Sequence, residues 1–253
     1  MNYDWSWSVF LDASSDGVNS FAWNLLRGVG WTICLALLTA MISFFTGLVL
    51  GVMRTAKSAF ANTIATAYVE IFRNIPLLVQ MFLWYFVLPE VIDPDLGRVL
   101  KQLPTPWNAF VPALLCLCFY ATARIGEQVN SGIRSLPPGQ FQAAIALGLT
   151  ASQAYRYVVL PEALRVVIPP LTSEIVSIVK YTSVAYTIGL LELTGQARAM
   201  QEFSFHIFEA FTAATVGYIC LNGIVVVCMR KLERASAVPG LIGADASSGT
   251  KGS

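Results

Sequence analysis

At 253 residues, 56% hydrophobic and only 12% charged, the chain has about half the charged fraction, roughly 25%, of a soluble domain. Too few charges remain to solvate a globular surface, so the bilayer must act as solvent and a soluble domain is excluded. A formal net charge of +1 provides no basic footprint for nucleic acid, and the single His206 argues against a metal site built from His and Cys.

Met1 to Asp16 contains Asp4, Asp12 and Asp16 and no Lys or Arg, the reverse of the basic start of a signal peptide. No cleavable signal is expected, and residues 1–26 read as a segment outside the membrane. From Arg27 to Arg54 the interior is free of charge. At about 1.5 Å per residue that run reaches roughly 39 Å, more than the ~30 Å hydrocarbon core. Further spans are expected over 60–88, 108–130, 166–190 and 207–229, about five in all, within a membrane domain of residues 27–234. The outer loop near 89–107 is rich in proline. Pro76 and Pro169-Pro170 are expected to bend or break their helices. Trp5, Trp7, Trp23, Trp31, Trp84 and Trp107 fit positions in an interfacial belt. Cys34, Cys116, Cys118, Cys220 and Cys228 lie in apolar stretches and are expected to be small buried residues.

Several spans carry charge. Each ionisable group costs about 2.5–3.5 kcal/mol to insert, which makes it a functional candidate, the alternatives being a structural pair or a snorkelling side chain. Glu70 and Arg73 stand three apart on one helical face and are expected to pair; Arg124 and Glu127 have the same spacing. Glu174 and Lys180 are six apart and need not face each other, which leaves partners on other helices open to them.

Lys and Arg beside the spans set the orientation. With the amino terminus outside, Arg54, Lys57, Arg134, Arg156, Arg165, Arg230, Lys231 and Arg234 lie inside, against Arg27, Arg98, Lys101 and Arg198 outside. The amino terminus is therefore expected outside and the carboxyl terminus inside, with a cytoplasmic loop at about 131–165. Residues 235–253 are small and polar and are expected to be disordered.

The loop opens on Pro137-Pro138-Gly139, a helix-stopping turn. It continues as Gln142-Ala143-Ala144-x-x-x-Gly148, nine residues, then Val158-x-Leu160-Pro161. Small Ala143 and Ala144 let a short helix approach another protein, Gly148 permits the positive-φ turn that ends it, and Pro161 begins the next segment without an amide donor. The spacing resembles the signature loop of ABC importer permeases, with Gln142 where the family has glutamate. Gln keeps the length but not the charge, so any salt bridge made by that glutamate is replaced or absent.

Phe72-Arg73-Asn74-Ile75-Pro76-Leu77-Leu78-Val79-Gln80, Ser135-Leu136-Pro137-Pro138-Gly139-Gln140, Leu160-Pro161-Glu162-Ala163-Leu164-Arg165 and Lys180-Tyr181-Thr182-Ser183-Val184 resemble further motifs of the polar amino-acid permeases, in one order over about 70–230. Asp4-Trp5-x-Trp7 and Trp84-Tyr85-Phe86-Val87-Leu88-Pro89-Glu90 look like the glutamate/aspartate branch.

The resemblance implies an all-α type I importer permease fold in a bacterial inner membrane, multi-pass, with a periplasmic amino terminus. It also implies an ATPase dimer that grips Gln142, Ala143, Ala144, Gly148, Leu160 and Pro161, a second homologous permease subunit, and a periplasmic substrate-binding protein. ATP and Mg are implied for the ATPase only. The chain has no G-x-x-x-x-G-K-[ST] phosphate loop, no cofactor is expected in it, and it is not expected to be an enzyme. Arg124 stands where many members have an aromatic, and its guanidinium suits a carboxylate. It is the foremost candidate for holding an acidic amino acid in the translocation path, with Lys180, Glu127 and Arg73 as further path residues. Snorkelling, or pairing with Glu127, stays open for Arg124. An autonomous secondary transporter is the alternative; it predicts repeated halves, which the sequence lacks.

Overall fold

The computed structural model describes residues 3, 5–14, 17–56 and 58–236; Asp4, Asp16, Lys57 and the tail from 237 onward lie outside the described residues. Among the described residues the secondary structure is helical apart from an isolated bridge between Ala13 and Ser20.

Helix α1, Phe21–Met53, starts where the Ser20 hydroxyl caps the Trp23 amide. One face of α1 carries Ser43, Gly47 and Gly51, four residues apart and buried. That small-residue stripe admits helix α6, Trp107–Ser135. A Cβ on Gly47 would sit 2.7 Å from the Ile125 side chain, and one on Gly51 would sit 2.5 Å from Val129. Hydroxyls bind across the same contact, Ser43 Oγ to the Cys118 carbonyl at 3.2 Å and Thr46 to Thr122 at 2.7 Å. Gly51→Leu is expected to force these helices apart at a cost of about 1–3 kcal/mol, read as a lower melting temperature in detergent.

Helix α2, Ala59–Asn74, and the helical run Leu77–Val91 meet at an angle of 101°. Pro76 makes the break, and Ile75 before it is extended (φ −85°, ψ 129°). The bend frees carbonyls at the end of α2. Gln80, only 2% exposed, donates from Nε2 to Phe72 O (2.8 Å) and Ile75 O (2.9 Å). The last residue of the Pro-Leu-Leu-Val-Gln motif thus caps the break that its proline creates. The run consists of α3, Leu77–Phe82, a π turn over Leu83–Val87, and α4, Leu88–Val91; α5, Pro94–Lys101, follows in the outer loop.

The same local device recurs after α7, Pro138–Ala146. Helix α8, Ala151–Ala154, passes through a π turn over Tyr155–Val159 into α9, Leu160–Tyr181. Both π turns close on the valine that opens a Val-Leu-Pro-Glu run, at Val87–Glu90 and Val159–Glu162. Widening the turn just ahead of proline relieves its clash with the preceding turn. Pro161 therefore does not begin the segment, as expected from sequence, but lies inside a helical run that starts at Ala151 behind a Thr150–Gln153 capping box. Pro169 and Pro170 do not break α9 either. Ala163, Val167 and Leu171 keep one buried stripe through them, packed on Ile125, Val129 and Ile133 of α6, and that packing holds the helix.

After α9 come a 3-10 turn, Thr182–Ile188, closed by Gly189 at φ +90°, then α10, Leu193–Ser204, and α11, Ile207–Ser236. Helices α1, α6 and α11 are long and apolar enough to cross a membrane, and the bent α2 pair brings the number to four. Helix α9 bears Glu162, Arg165, Glu174 and Lys180 and packs between α6 and α11. Helix α6 is the central element and is mostly buried within the chain, whereas α11 is almost wholly exposed. Cys220 and Cys228 on α11 are accordingly exposed, against expectation, while Cys116 and Cys118 on α6 are buried. Trp5, Trp7, Trp23 and Trp107 are exposed, but Trp31 and Trp84 pack on the core, Trp31 against Phe110 and Trp84 against Phe119.

Candidate functional site

Helix α6 carries Tyr120, Arg124, Glu127, Asn130 and Arg134 at successive spacings of four, three, three and four, with Gln128 one turn after Arg124, one polar stripe along a largely buried helix. The stripe serves two neighbours. Toward α9, Arg124 Nε binds Glu174 Oε1 at 2.7 Å, and Gln128 Nε2 reaches Glu174 Oε2 at 3.4 Å. Toward α1 and α2, Glu127 takes both Arg54 and, at 2.8 Å, Arg73. The expected Glu70–Arg73 pair is absent: Arg73 crosses to Glu127, and Glu70 accepts from Asn74 Nδ2 at 3.1 Å. Arg124 likewise passes over Glu127, three residues away, for Glu174. In both cases a neighbouring helix offers a carboxylate in better position than the next turn of the same helix.

Glu174 is 2% exposed at its side chain and Arg124 is 36% exposed. The Arg124 guanidinium lies 5.7 Å from the Tyr120 ring centroid and 5.9 Å from that of Tyr181, two rings set edge to face. One carboxylate and two aromatic faces thus fix its orientation through Nε and the ring planes. Its terminal nitrogens have no protein partner among the described residues, which leaves the fork able to take a carboxylate with two parallel bonds. Lys180, one residue before Tyr181, is exposed and has no ion-pair partner among the described residues.

At the other pole, α7 ends in a Schellman turn: Gly148 at φ +87° donates to Ile145 O (2.9 Å), and Leu149 donates to Ala144 O (3.2 Å). Ala144 is buried against the helical body. Gln142, Ala143, Ile145 and Leu147 are exposed, so α7 presents a small apolar ridge outward. Leu160 and Pro161 lie on the helical run that returns to α9.

Sequence reasoning did not single out Glu192, the N-cap of α10, which is fully buried and has no cationic partner among the described residues. It accepts from Tyr218 Oη (2.7 Å), the Thr194 and Gly195 amides (3.0 Å each) and Thr32 Oγ1 (3.3 Å). The one signal was its place just before the small polar Thr194-Gly195 at a helix start. Burial pushes its carboxyl above the usual range, tempered by these donors. With a raised native value, stability is fully present below the unfolded-state pKa and is lost as pH rises through the folded one. Glu192→Ala orphans several buried donors and is expected to cost about 2–4 kcal/mol. It should lower the melting temperature and remove that pH dependence.

Residues 43–237 match the model of the family described as binding-protein-dependent transport system inner membrane component. The glutamate/aspartate import permease protein GltJ of Escherichia coli K12 is 41% identical over 244 residues, covering 96% of this chain and 99% of that protein. The probable glutamine ABC transporter permease protein GlnP of Bacillus subtilis is 32% identical over 88% of this chain and 97% of its own length. Among solved structures, an amino acid ABC transporter crystallised with histidines superposes with a TM-score of 0.72 at 27% identity, over 85% of this chain and 95% of that one. The inward-facing MetNI methionine transporter gives 0.72 at 23% identity, a likeness of fold.

Proposed function

We propose, on the premise that this chain belongs to the family of binding-protein-dependent transport system inner membrane components, that it is the permease subunit of an ATP-driven importer for glutamate and aspartate in a bacterial inner membrane. The 41% identity to a glutamate/aspartate permease over nearly the whole chain supports the cargo. The observation that carries the reading is Arg124: a guanidinium held in place by Glu174, Tyr120 and Tyr181 with its terminal nitrogens uncommitted. An acidic amino acid supplies the matching carboxylate, and Lys180 adds a second cation near Tyr181. Arg73 and Glu127, tied to Arg54, hold the cytoplasmic end of the same path.

The amino terminus is periplasmic and the carboxyl terminus cytoplasmic in this reading. The ridge of Gln142, Ala143 and neighbouring α7 residues seats in a cytoplasmic ATP-binding subunit, which holds ATP and Mg. Gln142 meets that subunit without a charge. Gly148 sets the end of the seated helix, and Leu160 and Pro161 pass its movement into α9. The described spans are too few to enclose a path, so a homologous permease subunit completes it, and a periplasmic binding protein delivers substrate.

The test is transport in proteoliposomes with and without the ATPase subunits. Uptake of aspartate that requires both ATP and those subunits is expected; uptake by this chain alone would instead establish a secondary transporter.

A further inference from the structure

We propose that the cleft between the coupling loop and the ends of α1, α2 and α6 binds the head group of an anionic phospholipid. The cleft has a volume of about 540 Å³, and Arg54, Asn62, Arg134, Gln140, Gln142 and Tyr155 are among its lining residues, a size suited to a small polar ligand. Arg54 caps the end of α1, Asn62 lies in the first turn of α2, and Arg134 lies in the last turn of α6. Three spans end here on one side, so the cleft lies at head-group level, where basic pockets between helices recruit anionic lipid.

Charge points the same way. Arg54 and Arg73 share one carboxylate, Glu127. Arg134 donates Nε to the neutral Asn130 Oδ1 at 3.0 Å and has no carboxylate partner among the described residues. Two buried polar atoms of the lining lack a partner within the chain, the donor Arg54 Nε and the acceptor Gln140 Oε1. A phosphodiester oxygen satisfies the first, and a head-group hydroxyl satisfies the second. A phosphoglycerol head group offers both. Its acyl chains extend into the bilayer beside the spans.

The proposal is independent of the cargo. It places lipid charge directly behind Gln140 and Gln142 of the coupling loop.

The complete transporter in detergent is titrated with dioctanoyl phosphatidylglycerol, with dioctanoyl phosphatidylcholine, and with inorganic phosphate. Wild type is expected to bind the phosphatidylglycerol at least tenfold more tightly than the other two. Arg134→Gln should weaken that binding about 10- to 100-fold, the worth of a charge-assisted hydrogen bond, and Arg134→Lys should retain most of it. Gln142→Glu, which brings a carboxylate to the cleft wall, should weaken it as well. Melting temperatures within about 2 °C of wild type identify variants that remain folded. Equal binding of phosphate and phosphatidylglycerol would overturn the lipid assignment, as would binding unchanged in folded Arg134→Gln and Gln142→Glu variants. Loss of the ATPase subunit from Arg134→Gln with lipid binding intact would assign the cleft to that partner instead.

Discussion

Arg124→Met is expected to lower aspartate uptake about 10- to 100-fold and to destabilise the permease, and adding Glu174→Leu should restore the fold without restoring transport. In the single variant Glu174, 2% exposed, keeps only the 3.4 Å contact from Gln128. Removing one member of a buried pair costs about 3–5 kcal/mol because a charge is stranded. Arg124 is about a third exposed, and solvent screening places the cost at about 3 kcal/mol, the lower end of that range. Replacing both members with apolar residues removes the stranded charge and is close to neutral, so the melting temperature of the double variant should return to near that of wild type. The guanidinium is still missing. Aspartate uptake should stay reduced about 10- to 100-fold, the value of a charge-assisted hydrogen bond to the substrate carboxylate. Recovery of uptake in the double variant would reduce Arg124 to a structural partner of Glu174 and sink the proposed substrate contact.

Gly148→Val is expected to uncouple the permease from its ATPase while leaving the membrane domain folded. Gly148 sits at φ +87° with open space around its Cα, so the obstacle is backbone strain and not a clash. A β-branched residue is a steric outlier there and costs about 1–3 kcal/mol. That strain is relieved by giving up the Schellman bonds from Gly148 and Leu149, which frays the end of α7 and turns its outer ridge. ATPase co-purification should be lost and uptake should fall at least tenfold, with little change in melting temperature. Gly148→Asn, whose side chain tolerates left-handed backbone, should keep both. An ATPase retained by the Val variant at wild-type level would show that the geometry of this turn does not set the docking.

Local features were legible because their causes are local. Pro76 forbids continuation of α2, and the break is there. Gly148 in its small-residue context implies a left-handed helix end, and φ is positive. Pro169-Pro170 does not break α9 because proline's penalty is local while the helix is held by Val167 and Leu171 packing on α6. The recurrence of Val-Leu-Pro-Glu was visible in the sequence, yet its consequence, a π turn ahead of each proline, emerges only with backbone geometry.

Arg124 stood out as a costly charge in an apolar helix, but its partner lies 50 residues away on α9. The i,i+3 rule offered Glu127 for it and Glu70 for Arg73, and both choices were overridden across helices. Glu192 gave little warning, since its environment is assembled from α1, α10 and α11.

The sequence by itself determined that this chain lives in a bilayer and which family it joins. Each of those follows from hydropathy over a single span or from a motif read in order. Of the five expected crossings, the one over 166–190 is not among the helices apolar enough to span. The tertiary structure alone decided which charges meet and which helices stay whole around their prolines. It also decided that Arg54 and Arg73, from two different helices, share the single carboxylate of Glu127. Ion pairing in a membrane domain depends on which faces of different helices are brought within a few ångströms, and that is set by packing stripes such as Ser43, Gly47 and Gly51, not by separation along the chain.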